Sequence, residues 1–414
     1  MELGTLCKVT PGPQASWNPL RCGGTALPTP LLLMAKLVAV TYMLGLDRVM
    51  PAPFLPFVTP LDALAGSPAF AAVLQTLFYA SGLLLVFNRW PRASAFVMGC
   101  VVLTAVVSSK AYYGNNKLCA GTLLFLTGLY HPRTGPWLLR VQLAIVYFGA
   151  GLNKALDPDW HSGQFFHHWG GERLAQPLYL WVSALFPPLM LAKLVCWFTI
   201  VTELGLAAAF LLFPRTWPVV IWVSLLFHAS LLEFTGSTFN MFFYAMEAAV
   251  LAFAIWPREL IVIFDGDCGI CNRIREGLQR IDFEAGGAII WKTLQSGVGD
   301  RFGIPRATLE ERLHLAADGR ISSGFRACKL ILLYNPAFYL AVAVLLAAPG
   351  NAAWASWWRR IVVALLLAFF FPLFNPIGER AYDWVARNRY RFSSGEGACA
   401  IEPGGGGDGA VQPR

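Results

Sequence analysis

The chain has 414 residues, 56% of them hydrophobic and 14% charged, with a formal net charge of +8. An average soluble domain carries about 25% charged residues, so this composition argues against a wholly soluble chain, and the length leaves room for a membrane part followed by a smaller globular part. Nine cysteines are too few for a disulfide-stapled secreted scaffold, and lysines and arginines placed at membrane-facing loops, without a basic stripe among exposed aromatics, exclude a nucleic-acid partner.

Residues 1–30 are polar and rich in Pro and Gly, without the basic start, apolar core and small-residue cleavage site of a secretory signal. Residues 31–256 read as a polytopic α-helical membrane domain of about eight spans. The candidate segments are Leu31 to Leu46, Pro68 to Phe87, Ala93 to Ser108, Lys117 to Tyr130, Trp137 to Leu152, Pro188 to Phe213, Trp217 to Leu232 and Phe239 to Trp256. With a cytoplasmic N-terminus, the inner loops collect Arg21, Arg89, Arg92, Arg133 and Arg215, and the outer ones Arg48, Lys110, Lys117 and Arg173. An even number of spans returns the chain to the cytoplasm at Pro257. The lipid bilayer is then a partner, and the protein is multi-pass with its C-terminal part in a reducing compartment.

Ionisable groups within spans are default functional candidates because burying them is costly. Lys193, Glu203, His228 and Glu247 qualify; Lys193 sits near a span start and can snorkel, whereas Glu203 and Glu247 are central enough to need partners such as His228 or one another's neighbours. Polar contacts between helices are the plainer account. Lys154, at the end of a span, either snorkels to the headgroups or is desolvated enough to act as a base. His161, His167 and His168 follow without metal-site spacing, and Trp160 and Trp169 suit interfacial anchoring. Cys100, Cys119 and Cys196 serve as small apolar residues inside helices.

From Pro257 charges spread between short apolar runs, which predicts a small α/β unit. Cys268 and Cys271 form a Cys-x-x-Cys between the strand-like run Leu260 to Phe264 and a helix-like stretch beginning at Asn272. A helix N-terminus favours a negative thiolate, so Cys268 is the expected nucleophile and Cys271 its resolving partner. Zinc is the rival reading, with Cys328, Cys399 and His314 as further ligands, and an inert motif is the third. Asp265 and Asp267 either tune the thiols and relay a proton or are turn residues capping the following helix. Asp318-Gly319-Arg320 is a turn between two strands, a helix begins at Gly324, and Pro305 opens another helical stretch. The apolar stretches 330–348 and 361–374 are either a membrane hairpin or, preferably, helices lying on the bilayer. Residues 395–414, with four consecutive glycines, are expected to be disordered.

Phe264-Asp265-Gly266-Asp267-Cys268-Gly269-Ile270-Cys271, then Asp318-Gly319-Arg320 with Gly324-Phe325-Arg326-Ala327, then Tyr382 through Arg391, resemble the DCC family of thiol-disulfide oxidoreductases. The resemblance implies a thioredoxin-like α/β fold over 257–394, a redox pair at Cys268 and Cys271, disulfide-containing protein or peptide substrates, and a cellular thiol reductant. Upstream, Tyr147 through Lys154 followed by Asp157 through Gly163 is similar to the HTTM family, whose best known member is the vitamin K-dependent gamma-carboxylase. That resemblance places Lys154 where a lysine deprotonates a reduced quinone, and brings a quinone as the cofactor of the membrane domain. The combined expectation is a membrane-anchored thiol-disulfide oxidoreductase. The alternatives are a quinone-dependent carboxylase-like or peptide-modifying enzyme using Lys154, and a non-catalytic membrane assembly module.

Overall fold

The computed structural model describes residues 17–45, 64, 67–108, 114–234, 240–285, 287–347 and 355–389. Residues 1–16, Leu46, Arg48, Lys110, Phe239, Tyr390, Arg391, Cys399 and the tail 395–414 lie outside them. Two compact units emerge. One gathers Met1–Pro257, Ile281–Ala288 and Leu332–Leu367; the other gathers Arg258–Arg280, Ile289–Ile331 and Ala368–Arg414.

In chain order the helices of the first part are α1 (Thr29–Gly45), α2 (Pro68–Val86), α3 (Pro91–Ser108), α4 (Asn115–Gly128), α5 (Trp137–Leu156), α6 (Pro158–Ser162), α7 (Gln164–Phe166), a π-turn at His167–Arg173, α8 (Pro177–Ser183), α9 (Met190–Leu212), α10 (Trp217–Phe234) and α11 (Asn240–Ala249). Then come β1 (Leu260–Phe264), α12 (Gly269–Ala285), β2 (Ile289–Thr293), α13 (Arg306–Glu311), β3 (His314–Ala317), β4 (Arg320–Ser323), α14 (Gly324–Leu333), α15 (Pro336–Ala347), α16 (Ala355–Phe370) and α17 (Asn375–Asn388).

Each of the eight apolar segments read from the sequence forms a helix, and local chemistry sets the ends. Ser67 accepts the Phe70 N–H at 3.3 Å with Pro68 behind it, which starts α2. Asp157 accepts the Asp159 N–H at 2.9 Å and is followed by Pro158, so α5 stops there and α6 begins. Helix formation and membrane crossing part company, however. Among the described residues α2 and α9 are long and apolar enough to cross a membrane by themselves, and the number reaches four if the interrupted pairs α14–α15 and α16–α17 each count as one span. Helices α1, α4 and α11 have 17, 14 and 10 residues, short of the roughly 20 a full span needs.

The first unit is held together by close helix crossings. Helix α3 meets α4 where a Cβ on Gly99 would stand 2.4 Å from the Phe125 backbone nitrogen, and one on Gly128 would stand 2.4 Å from the Phe96 Cβ. Small residues at such crossings let two backbones approach when apolar lipid gives no hydrophobic drive to associate. Gly99→Ala is therefore expected to destabilise the protein by about 1–3 kcal/mol, outweighing the roughly 1 kcal/mol that alanine gains in helix propensity. A lower melting temperature in detergent checks this, and a variant as stable as the parent would contradict the close crossing. Two charges that the sequence did not single out, one buried and one half-buried, are satisfied by backbone carbonyls. Lys36 is fully buried and donates to the Pro19 and Arg21 carbonyls, each at 2.7 Å. Arg140 donates to the Ala252 carbonyl at 2.9 Å, with its guanidinium 4.5 Å from the centre of the Trp217 ring.

The second unit is built on a four-stranded mixed sheet in the order β2-β1-β3-β4. All five residues of β1 are buried, as befits a central strand. It pairs parallel to β2, with Phe264 opposite Thr293, and antiparallel to β3, with Leu260 opposite Ala317. The β3–β4 hairpin turns at Asp318 and Gly319, both at positive φ (45° and 78°), a conformation that Asp-Gly supplies cheaply. Ile261, Ile263, Leu294, Leu309 and Ala316 form a core that α13 helps to cover. As the sequence indicated, Pro305 stands at the cap of α13 and α14 begins at Gly324.

Candidate functional site

Strand β1 ends at Phe264, and the chain turns once before entering α12. The helix begins at Gly269, which corrects the expected start at Asn272 and draws Cys271 into its first turn. Gly-Ile is a poor helix opening on propensity, but Cys268 takes the capping position: its carbonyl accepts the Asn272 N–H at 3.0 Å and its Sγ accepts the Cys271 N–H at 3.3 Å. Cys268 and Cys271 are joined as a disulfide with their Cα atoms 5.2 Å apart. The two sulfurs differ in access, since Cys268 is 0% exposed and Cys271 is partly exposed.

The two acidic residues before the pair take separate places. Asp265 is buried at 6% exposure, whereas Asp267 is exposed. One Asp265 oxygen accepts the Asp267 N–H at 3.0 Å and the Gln295 Nε2–H at 3.3 Å. The other pairs with the Arg389 guanidinium at 3.1 Å, both side chains being largely shielded. Gln295 also donates to Asp267 at 3.0 Å and accepts the Gly266 N–H at 3.3 Å. Asn272 donates to the Gly266 carbonyl at 2.7 Å, and the Cys268 N–H meets the Asp265 carbonyl at 3.4 Å. The loop is thus tied at nearly every polar group. Asp265 closes this turn, and the side chain that takes the first-turn amide of α12 is that of Cys268.

Arg389 and Gln295 were not singled out by sequence reasoning. Gln295 was within reach of it, because parallel pairing of Phe264 with Thr293 carries both strands to the same sheet edge, where the residues two beyond each end sit side by side. Arg389 lies in the third motif of the DCC resemblance, which the fold brings back to the first. Arg312 binds Glu379 at 2.9 Å and also pairs with Asp383, while the Tyr382 hydroxyl accepts the Leu313 N–H at 2.8 Å. Glu379 and Asp383 are one helical turn apart, so one guanidinium holds one face of α17. Gly378 lies against the Phe325 ring, where a Cβ would come within 2.1 Å. His314, buried on β3, donates its Nδ1–H to the Arg312 carbonyl at 2.8 Å, and burial pushes its imidazole pKa down. Among the described residues no three His, Cys, Asp or Glu side chains gather as metal ligands.

In the first unit, Lys154 is paired. It lies in the last turn of α5, and its ammonium is held by both oxygens of Glu203 on α9 at 2.8 and 2.9 Å. The corresponding side chains are 21% and 8% exposed. A Cβ on Gly151 would stand 2.9 Å from Leu204 and 3.2 Å from the Glu203 Cβ, so the missing side chain lets the helices meet one turn before the pair. Glu203 thus has the partner its burial calls for, and it is Lys154 rather than His228. His228 is buried beside Tyr147, whose hydroxyl bonds Ser224 at 2.6 Å and lies 3.5 Å from the imidazole. Lys193 is exposed at the start of α9. Lys154 also lies 5.1 Å from the centre of the Trp160 ring, and His161 stacks on Trp197. His167 meets the Tyr179 hydroxyl at 2.9 Å and His168 meets Glu172 at 2.6 Å. Cys119 and Cys196 are buried within α4 and α9, and Cys100 is partly buried in α3.

No curated protein and no solved structure matches the chain. Its apolar helices accompany a match to the HTTM domain over residues 131–256, which marks a membrane protein. Residues 262–365, which hold the disulfide, the last three residues of β1, β2 to β4 and α12 to α15, match the DCC1-like thiol-disulfide oxidoreductase. The chain therefore carries an HTTM domain followed by a DCC1-like thiol-disulfide oxidoreductase domain.

Proposed function

We propose that this chain is a multi-pass membrane protein whose Cys268–Cys271 pair exchanges disulfides with protein or peptide substrates. The proposal places an HTTM-like membrane part at 31–256 and a thioredoxin-like part at 257–394 facing the cytoplasm. The observation that carries it is the disulfide at the start of α12, with the Cys271 N–H aimed at the Cys268 sulfur. The sheet order supports the thioredoxin-like reading, since a parallel β1-α12-β2 unit followed by an antiparallel hairpin is the topology such a domain requires.

In the dithiol state the helix start and that N–H stabilise a thiolate at Cys268. The thiolate attacks a substrate disulfide, forming a mixed disulfide and releasing one substrate thiolate. Cys271, deprotonated in turn, attacks the Cys268 sulfur; the mixed disulfide breaks, the second substrate thiol leaves, and the chain retains the internal disulfide. Two electrons pass to the substrate, and two equivalents of a cellular thiol return them. Because Cys268 is covered in the disulfide form, the loop Asp265 to Cys268 opens as the mixed disulfide forms.

A quinone in the membrane part fits less well. Lys154 is offered to Glu203 rather than to a quinol hydroxyl. The proposal is tested by equilibrating the purified protein in graded glutathione buffers and measuring alkylation of Cys268 and Cys271 by mass. A single two-electron transition at a potential between roughly −120 and −270 mV is expected. A pair that stays unreactive across the range, or that holds zinc, would overturn it.

A further inference from the structure

We propose that Arg389 is a positioning residue for the redox pair: its guanidinium neutralises the Asp265 carboxylate and, together with Gln295, sets the charge and shape of the loop that delivers Cys268. The inference rests on the thiol-disulfide reading above and deepens it.

Asp265 is three residues from Cys268 in a turn closed by the Cys268 N–H and the Asp265 carbonyl. A buried carboxylate at this position opposes a thiolate in the reduced state. In the disulfide no thiolate exists to be opposed, so an uncompensated Asp265 favours oxidation of the pair. Arg389 removes that bias. It enters from beyond the end of α17, pairs with the Asp265 oxygen that Gln295 leaves open, and is anchored by donation to the Glu310 carbonyl at 2.5 Å. The polar groups facing Asp265 include the Arg389 guanidinium, the Gln295 amide and the Asp267 N–H, and the same Gln295 nitrogen also donates to the Asp267 carboxylate. A guanidinium is a pair of fixed donors that keeps its charge throughout the working pH range, which suits it to a permanent counter-charge rather than to proton transfer. The Arg312 clamp on Glu379 and Asp383 fixes α17, and with it the point from which Arg389 reaches.

The equilibrium to be measured is reduced chain plus glutathione disulfide against oxidised chain plus two glutathione thiols, on the full-length protein in detergent. Arg389→Gln is expected to shift it about tenfold toward the oxidised chain, a potential about 30 mV more negative. Arg389→Lys keeps a charge and should recover most of the shift. Asp265→Asn alone should move the equilibrium toward the reduced chain by a similar factor, and Asp265→Asn combined with Arg389→Gln should return it to within about twofold of the parent, because the opposite effects of the two charges on the thiolate sum to near zero. A role confined to holding the fold would lower the melting temperature without moving these ratios. Should Arg389→Gln fail to fold, the Asp265→Asn variant, in which Arg389 still donates to the Glu310 carbonyl, and the double variant, which leaves neither charge without its partner, decide the matter. An unmoved equilibrium in Asp265→Asn, or a double variant that stays far from the parent, overturns the inference. A parent protein with no reversible transition would instead overturn the thiol-disulfide reading, so the two failures are distinguishable.

Discussion

Cys271→Ser is expected to trap one equivalent of substrate or glutathione on Cys268 and to reduce disulfide turnover to background. The resolving attack is intramolecular, between sulfurs held by one turn of α12 whose Cα atoms are 5.2 Å apart. Well-oriented intramolecular reactions have effective molarities of at least about 10⁵ M, whereas an external thiol is present at millimolar levels, so a loss on the order of a thousandfold or more follows. Cys268→Ser should eliminate both trapping and turnover. The opposite pattern is a real alternative in this geometry, because Cys268 is 0% exposed and Cys271 is partly open. Electrostatics decides for Cys268. Its sulfur alone takes the capping position and receives a backbone N–H, and the thiolate is the attacking species. Intact-mass measurement of the two serine variants after mixing with oxidised glutathione settles which sulfur carries the adduct, and an adduct on Cys271 in Cys268→Ser would reverse the roles assigned here.

What was legible in the sequence follows the range of the forces involved. The eight apolar segments emerged as helices because lipid or core leaves a backbone of that composition little else to do, and the strand before the Cys-x-x-Cys, the Asp318-Gly319 hairpin and the helix at Gly324 were marked by local turn chemistry. The start of α12 was misplaced because its cap is a cysteine, which propensity does not recognise as one. Length separated helix from span: a 14-residue α4 reads as apolar but cannot reach across a bilayer unaided. Pairings were the least visible. Lys154 and Glu203 were both conspicuous and 49 positions apart, and nothing local says that Gly151 brings α5 against α9 at that height. Asp265 and Arg389 are joined only after the chain has made the sheet, left it through α14 and α16, and returned along α17.

Removing one side of the Lys154–Glu203 pair is expected to be the most costly change in the first unit. Lys154→Met leaves a carboxylate of low exposure without its counter-ion, and Glu203→Leu leaves the ammonium with only the Ala150 carbonyl and the Trp160 ring. Breaking a buried pair costs about 3–5 kcal/mol, reduced here to about 2–3 because Lys154 retains some access to solvent. Replacing both residues by apolar side chains of similar volume removes the desolvation cost as well as the attraction, so Lys154→Met with Glu203→Leu should come within about 1 kcal/mol of the parent. Thermal unfolding in detergent reads the single and double variants together. The double variant also separates the two functional readings of the chain. If the pair is a fastening between α5 and α9, the double variant keeps both its stability and its glutathione-coupled disulfide exchange. If Lys154 is a base, the double variant is stable and still exchanges disulfides, but the activity belonging to the HTTM domain is lost, and Lys154→Arg, which preserves the ion pair while holding its proton more firmly, is lost with it.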